Sequence, residues 1–192
     1  MDRRKFLQTA AALTAASTAM LGANNSPAAS DNPLPQENLS MKKIIMAADP
    51  FAVDLKDSIK AKLESEGYEI VDVGATKANE LPYYEGAQAA CKLLQADKNA
   101  RGILLCGTGM GMSIVANRFE GIHASVVESV FAAKMCRAIN NANVLCLGAM
   151  IWGDWMAKEA VDTFLNTKFT QGLDGLEGFL KDAFKTVNAI KE

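Results

Sequence analysis

The segment CGTGMGMS, residues 106–113, holds the groups in this sequence that are best suited to chemistry. The apolar run GILLC at 102–106 is typical of a buried strand, so Cys106 is expected at the end of a strand, before a glycine-rich turn and a helix. A thiol in such a place faces backbone N–H groups, and such surroundings favour the reactive thiolate form of a cysteine. The same amides could hold a developing oxyanion. A base beside an oxyanion site can remove a proton from carbon and stabilise the resulting enediolate.

A structural interpretation of this segment stays open on composition alone. Small apolar cysteines are common in protein cores, and glycine-rich turns also bind phosphate passively. Metal catalysis, in contrast, is not expected. The chain has one histidine, His123, and its four cysteines are widely spaced, without a CxxC or HExxH motif. The sequence therefore predicts neither a metal site nor a cofactor.

The elements that must position Cys106 alternate between strand and helix from residue 42 onward. The predicted strands are 43–48, 69–73, 102–106, 122–127 and 143–147, and the predicted helices are 53–66, 84–95, 113–119, 130–139, 154–166 and 173–191. Because the strands are continuous apolar runs, we expect a doubly wound, Rossmann-like α/β fold with a five-stranded parallel sheet and helices on both faces. Ligands bind beyond the carboxyl ends of such strands, which directs attention to the loops 49–51, 107–113 and 127–129.

The composition and the N-terminus limit the class of protein. With 49% hydrophobic and 22% charged residues, the chain is neither largely disordered nor a multi-span membrane protein, and its net charge of −2 gives no reason to expect a nucleic-acid partner. Residues 1–29 combine Arg3 and Arg4 with a short, mildly apolar run, as in a cleavable twin-arginine signal. We therefore predict a signal peptide at 1–29, a linker at 30–41, one domain at 42–192, and a periplasmic protein without a membrane anchor. An ordinary amphipathic helix or a general secretory signal are the alternatives.

Three segments carry a resemblance to a known family: GILLCGTGMGMSIVAN at 102–117, Gly121-Ile122, and NNANVLCLGA at 140–149. Together they resemble the type B ribose-5-phosphate isomerases and galactose-6-phosphate isomerases, over about residues 42–169. The resemblance implies a metal-independent aldose–ketose isomerase that acts through an enediolate. It also implies a homodimer or homotetramer whose active sites are completed across the dimer.

The resemblance further implies roles for the residues that match the motifs of the family. Cys106 stands where many members have the catalytic base, and Thr108 stands where the enediolate oxygens are held together with the loop amides. The positions expected to bind the sugar are Asp49, Gly107, Gly109, Gly111, Ser113 and Asn140.

Two more polar residues are candidates with an open structural alternative. Glu128 follows a predicted strand and could act as a general acid or base, but a solvated loop carboxylate is the simpler interpretation. His123 stands where an arginine is common in the family, and it could bind the sugar or serve the fold.

The departures from the family pattern concern the rest of the substrate. Pro50 replaces a histidine, Leu81 replaces a tyrosine, and Ile139 replaces the histidine that assists ring opening. The arginine-bearing C-terminal segment that clamps phosphate is absent, and QGLDGL stands at 171–176. Phosphate recognition usually needs arginines.

We therefore predict an isomerase of a small sugar that is unphosphorylated and that could already be open-chain. A catalytically inactive sugar-binding relative is one alternative. A weak ribose-5-phosphate isomerase, in which ring opening is uncatalysed, is the other.

Overall fold

The computed structural model describes residues 43–190. The predicted signal peptide and linker lie outside the described residues. Five strands form one parallel sheet in the order β2-β1-β3-β5-β4. The strands are β1 (Lys43–Ala48), β2 (Glu69–Asp72), β3 (Arg101–Cys106), β4 (Ala124–Val126) and β5 (Val144–Gly148). The helices are α1 (Val53–Ser65), α2 (Tyr83–Ala96), α3 (Met110–Ala116), α4 (Val130–Asn140), α5 (Asp154–Asn166) and α6 (Glu177–Asn188), and a short 3₁₀ turn (Pro50–Ala52) precedes α1.

Two hydrophobic cores lie on the two faces of the sheet. One core joins the strands to α1, α4 and α5, and the other joins them to α2 and α3. Successive strand residues such as Ile44 and Ile45 point into opposite cores, so β1 and β3 are buried throughout except for their first residues. This is why these strands are continuous apolar runs. The predicted doubly wound α/β fold is confirmed.

The boundaries of three elements differ by more than one residue from the sequence-based prediction. Helix α3 begins at Met110, three residues before the predicted start at 113, because the turn ends at Gly109, which adopts a left-handed conformation (φ 80°). Strand β4 is three residues long, because the backbone N–H of His123 donates to the side chain of Asn143 instead of to a neighbouring strand. Helix α6 begins only at Glu177, after turns that include Gly175 with φ 82°.

A buried ion pair fixes the loop that follows β2. The Lys56 side chain in α1 is fully buried, and its Nζ lies 2.6 Å from Asp72 at the end of β2 and donates to the carbonyl of Ala75 at 2.8 Å. This holds Gly74 so close to the end of β1 that a Cβ there would lie 2.2 Å from the backbone nitrogen of Ala48. The chain from β2 to α2 is thereby pinned next to Asp49, at the carboxyl edge of the sheet.

No helix within residues 43–190 is long and apolar enough to cross a membrane.

Candidate active site

Cys106 is the last residue of β3, and its thiol lies at the start of the glycine-rich loop. The side chain is largely buried, and its Sγ accepts a hydrogen bond from the backbone N–H of Gly109 at 3.0 Å. The loop can fold back on the sulfur because Gly109 takes the left-handed conformation. An N–H donor in this position stabilises negative charge on sulfur, which is what a thiolate base requires.

The loop is held against the end of β5 by close backbone contacts. A Cβ added to Gly148 would lie 2.6 Å from the carbonyl carbon of Thr108, and one added to Gly109 would lie 3.0 Å from that of Leu147. Two backbone bonds continue the contact, from Ala149 to the carbonyl of Cys106 and from Met150 to that of Gly107, both at 2.9 Å. These backbone contacts leave the Thr108 side chain exposed on the loop. Its Oγ1 accepts a hydrogen bond from the N–H of Met110 at 3.4 Å.

Asp49 lies beside the same loop, directly after β1. Its carboxylate accepts the N–H of Phe51 at 3.0 Å, and the amides of Ala52 and Gly107 also face it. Burial raises the pKa of Asp49 above its ordinary value, although these three amide donors oppose the shift. The structure thus brings Asp49 and Cys106 to the same short segment of the loop, residues 107–109. The amides of Gly107 and Gly109 face these two groups, and their predicted contact with the enediolate oxygens stays a prediction.

Two side chains that the sequence analysis missed pack directly on this loop. The ring of Tyr83, the first residue of α2, lies so close to Gly111 that a Cβ there would be 2.8 Å from it. The thioether of Met150, two residues beyond β5, packs on Gly107. A Cβ added to Gly107 would lie 3.3–3.4 Å from the Cε and Sδ of Met150. Their position in the sequence could have indicated them, since Tyr83 and Met150 each follow a strand whose carboxyl end lies at the edge where ligands bind.

Ser113 and Asn117 connect α3 to the first residue of β4. The Ser113 hydroxyl donates to the carbonyl of Ala124 at 3.3 Å, and the side chain of Asn117 pairs with both the N–H and the carbonyl of Ala124 at 2.8 Å. Ser113 was expected to bind the sugar, but the structure turns its hydroxyl toward β4. These contacts set the distance between α3 and the sheet, and thereby the position of the loop.

Glu128 lies two residues beyond β4, at the same edge of the sheet as Cys106. It is exposed and precedes Ser129, whose hydroxyl accepts the N–H of Ala132 and caps α4. Behind it, the indole of Trp152 donates to the carbonyl of Val127 at 2.9 Å. The loop after β4 is thus rigid at its base, and the Glu128 carboxylate is free to face solvent or a ligand.

His123 and Asn140 lie at the opposite edge of the sheet. His123 precedes β4, and Asn140 ends α4 four residues before Val144, which pairs with Gly102 at the start of β3. Four residues of β3 separate that position from Cys106, or roughly 13 Å. Within one copy of the chain, the structure therefore does not bring His123 or Asn140 to the thiol.

The His123 ring has a defined structural environment instead. It meets the ring of Phe184 in α6 edge-on, with 5.0 Å between centroids, and its side chain shares a hydrogen bond with Asn188. Burial lowers the pKa of His123 below its ordinary value of 6.5, although the bond to Asn188 opposes the shift. His123 therefore joins the C-terminal helix to the amino end of β4.

This environment predicts a pH dependence of stability. Below pH 6.5 the unfolded chain takes up a proton on His123 more readily than the folded chain, so the free energy of unfolding falls as the pH falls toward the lower folded pKa. We expect His123→Gln to remove part of the decrease in Tm between about pH 7 and pH 5.5. Thermal melts of both proteins at the two pH values check this, and equal decreases would contradict it.

The other three cysteines belong to the core. Burial raises the pKa of Cys91 and of Cys136 to about 11, and it raises that of the fully buried Cys146 well above its ordinary range. All four cysteines are free thiols. Of these four cysteines, Cys106 is the one that ends a strand at the glycine-rich loop. Among residues 43–190, no three histidine, cysteine or acidic side chains are grouped as they would be to hold a metal ion.

Comparison with known proteins identifies this arrangement. The family model described as Ribose/Galactose Isomerase matches residues 44–175, which include Asp49, Cys106 and the whole glycine-rich loop. The chain belongs to the ribose/galactose isomerase family. The resemblance carried by residues 102–117 is thereby confirmed, and the chain is an aldose–ketose isomerase by family.

Relatives in this family differ in the sugar for which they are named. The chain is 43% identical over 152 residues to a 4-deoxy-4-sulfo-D-erythrose isomerase of a Clostridium species, covering 78% of this chain and 96% of that protein. It is 38% identical over 133 residues to a D-erythrulose-4-phosphate isomerase of Pectobacterium atrosepticum (69% and 88%). Ribose-5-phosphate isomerase B of Escherichia coli is 36% identical over 132 residues (69% and 89%).

The solved structures of the ribose/galactose isomerase family share the architecture. The ribose 5-phosphate isomerase of Thermotoga maritima superposes with a TM-score of 0.70 at 34% identity, covering 77% of this chain and 98% of that one. The doubly wound sheet and its glycine-rich loop are therefore those of a sugar-phosphate isomerase family.

Proposed function

We propose that this chain interconverts an aldose and a ketose of four carbons whose C4 carries a sulfonate rather than a phosphate. The observation that carries the proposed aldose–ketose chemistry is the placement of Cys106, with the Gly109 amide on its sulfur and Asp49 beside the same loop. This is the arrangement of a base, an anion-stabilising backbone and a second proton carrier around one reacting centre.

In the proposed reaction the Cys106 thiolate removes the proton from the hydroxyl-bearing carbon next to the carbonyl. The electron pair moves to the carbonyl oxygen and gives an enediolate, whose negative charge is held by donors at Thr108 and Gly111. Cys106 returns the proton to the neighbouring carbon. Because burial raises its pKa, Asp49 keeps a proton more readily than an exposed carboxyl and can pass it between the two oxygens.

The isoleucine at position 139 supports the proposal that the substrate does not close into a ring. By resemblance it stands where the family has a ring-opening histidine, and an isoleucine cannot move a proton. An aldose of four carbons forms a five-membered ring only through its O4 hydroxyl. In a 4-sulfo or 4-phospho tetrose this hydroxyl is replaced or esterified, so no ring forms and no ring opening is needed. Two of the relatives are named for sugars of this kind.

The segment at 171–176 supports a sulfonate over a phosphate. By resemblance the family has an arginine-bearing phosphate clamp in this region, and this chain has QGLDGL instead. A phosphate dianion is usually bound by several charge-assisted donors. A sulfonate carries a single charge, so it needs fewer of them.

The location of Asn140 supports a homodimer or homotetramer. By resemblance Asn140 contacts the substrate, yet it lies at the opposite edge of the sheet from Cys106, so a second copy must supply it. The carboxyl edge also exposes large apolar side chains that a partner would cover, including Phe51 (72% exposed) and Trp155 (82%).

The twin-arginine pattern of residues 1–29 supports a periplasmic location for the assembly.

The test is solvent deuterium exchange. The protein is incubated in D₂O with 4-deoxy-4-sulfo-D-erythrose, D-erythrose 4-phosphate, D-erythrose and D-ribose 5-phosphate, and deuterium at C1 or C2 is followed by NMR. We expect exchange fastest with the sulfonate. Preference for either phosphate ester would overturn the choice of end group, and no exchange with any sugar would overturn the proposed reaction.

A variant of Ile139 tests the ring argument separately. D-Erythrose closes into a ring, whereas the 4-sulfo sugar does not, and both have four carbons. Ile139→His is expected to raise kcat/KM for D-erythrose by about tenfold or more, because an acid–base group contributes at least that much. The value for the sulfonate should stay within about twofold, and Ile139→Leu is the control. An equal effect on both sugars would contradict the ring argument.

A further inference from the structure

We propose that Tyr83 and Met150, at the two ends of the glycine-rich loop, sterically limit the substrate to four carbons. The inference rests on the proposed function, since it assigns the chain-length specificity of the same site. Nothing in the catalytic roles of Cys106 or Asp49 would select the length of the sugar. The selection must come from groups that border the reacting centre.

Tyr83 borders the loop at Gly111. Atoms of its ring come within 2.8–3.2 Å of the place where a Cβ of Gly111 would be, so the ring lies directly on the backbone of the loop. The ring of Tyr84 meets it edge-on with 5.4 Å between centroids, which restricts its rotation. Tyr83 is nevertheless 40% exposed. One part of the ring is thus fixed on the loop, and the other part faces the space above it.

Met150 borders the loop at Gly107. Its Cε and Sδ come within 3.3–3.4 Å of the place of a Gly107 Cβ, and its backbone N–H donates to the Gly107 carbonyl at 2.9 Å. The side chain is 66% exposed. The backbone of Met150 is therefore anchored while its thioether projects over the loop.

These contacts leave Thr108 and its neighbouring amides between two bulky side chains. The two carbons that exchange a proton must lie at this point, next to Cys106. The remaining carbons then extend toward Tyr83 or Met150. A fifth carbon with its hydroxyl would meet one of these side chains, and one extra methylene at an apolar contact changes kcat/KM by about 10–200-fold.

The experiment compares two ketoses that differ by one carbon and that both lack the hydroxyl needed for ring closure. These are 4-deoxy-4-sulfo-D-erythrulose and 5-deoxy-5-sulfo-D-ribulose. The measured quantity is the ratio of kcat/KM for the five-carbon sugar to that for the four-carbon sugar. We expect this ratio to rise at least about tenfold in Tyr83→Ala or in Met150→Ala. It should stay close to that of the unsubstituted protein in Tyr83→Phe, which keeps the ring.

Phe179→Ala is the matched control, because it removes an exposed aromatic ring from α6, outside the site. Thermal melts check that each variant is folded. If Tyr83→Ala is not folded, Tyr83→Leu is used in its place. An unchanged ratio in both the Tyr83 and the Met150 variants would overturn the inference while leaving the proposed function intact. If the unsubstituted protein converts neither ketose, nor the corresponding phosphate esters, the proposed function itself fails.

Discussion

Cys106→Ala is expected to lower the rate of deuterium exchange into the substrate by about 10²–10⁴-fold, the usual contribution of a positioned base. Alanine keeps the apolar packing of the end of β3 but removes the only atom that accepts the Gly109 N–H at 3.0 Å. Exchange measured by NMR checks this result. Binding of the sugar, measured by calorimetry, should change much less, because the loop and Asp49 remain.

Cys136→Ala is the control for the loss of a buried thiol. The Cys136 side chain is also buried, but its Sγ donates to the carbonyl of Ala133 within α4, on the other face of the sheet. We expect its exchange rate to stay within about threefold of that of the unsubstituted protein, as is usual for a residue outside the site. Comparable losses in both variants would show that the thiol of Cys106 acts only through stability.

Mixing variants connects the same experiment to the proposed assembly. If Asn140 is supplied by a second copy, Cys106→Ala and Asn140→Ala proteins are both inactive alone. A mixed dimer of the two then contains one site with both residues intact. We expect exchange activity to return when the two proteins are unfolded and refolded together. Failure to recover any activity would place Asn140 outside the site.

Gly148→Ala is the second substitution with a large expected effect. Its Cβ would lie 2.6–2.8 Å from three backbone atoms of Thr108, and backbone atoms cannot move aside as a flexible side chain can. The loop must therefore shift away from β5. We expect a loss of about 1–3 kcal/mol in the free energy of unfolding. We also expect kcat/KM to fall by about 10²-fold, since a displacement near 1 Å at a reacting centre costs that much.

Gly153→Ala provides the matched comparison for Gly148→Ala. Gly153 lies five residues further along, precedes α5 with φ −75°, and has nothing within 4 Å of the place of a Cβ. We expect its kcat/KM to match that of the unsubstituted protein, while its Tm falls slightly because alanine is a poorer N-cap residue than glycine. Denaturant unfolding and steady-state kinetics on the two variants separate the steric effect from the general effect of adding a methyl group. A Gly148→Ala enzyme with normal activity would show that the loop tolerates displacement.

The sequence by itself determined the parallel sheet and the place of the thiol. A strand that is buried on both faces must be apolar at every residue, so the runs at 43–48 and 102–106 indicated parallel strands directly. Carboxyl ends of parallel strands share one edge, which places Asp49 and Cys106 together. Glycines at 107, 109 and 111 indicated a tightly folded loop, because other residues do not tolerate such close approaches and left-handed conformations.

Only the tertiary structure decided which candidates lie beside Cys106 within one copy of the chain. His123 and Asn140 match polar positions along the chain, but the register of β5 with β3 places them at the amino edge. Strand register and the crossing of helices over the sheet depend on contacts between residues far apart in sequence. No local pattern contains them, and for the same reason the contacts of Tyr83 with Gly111 and of Met150 with Gly107 became visible only in three dimensions.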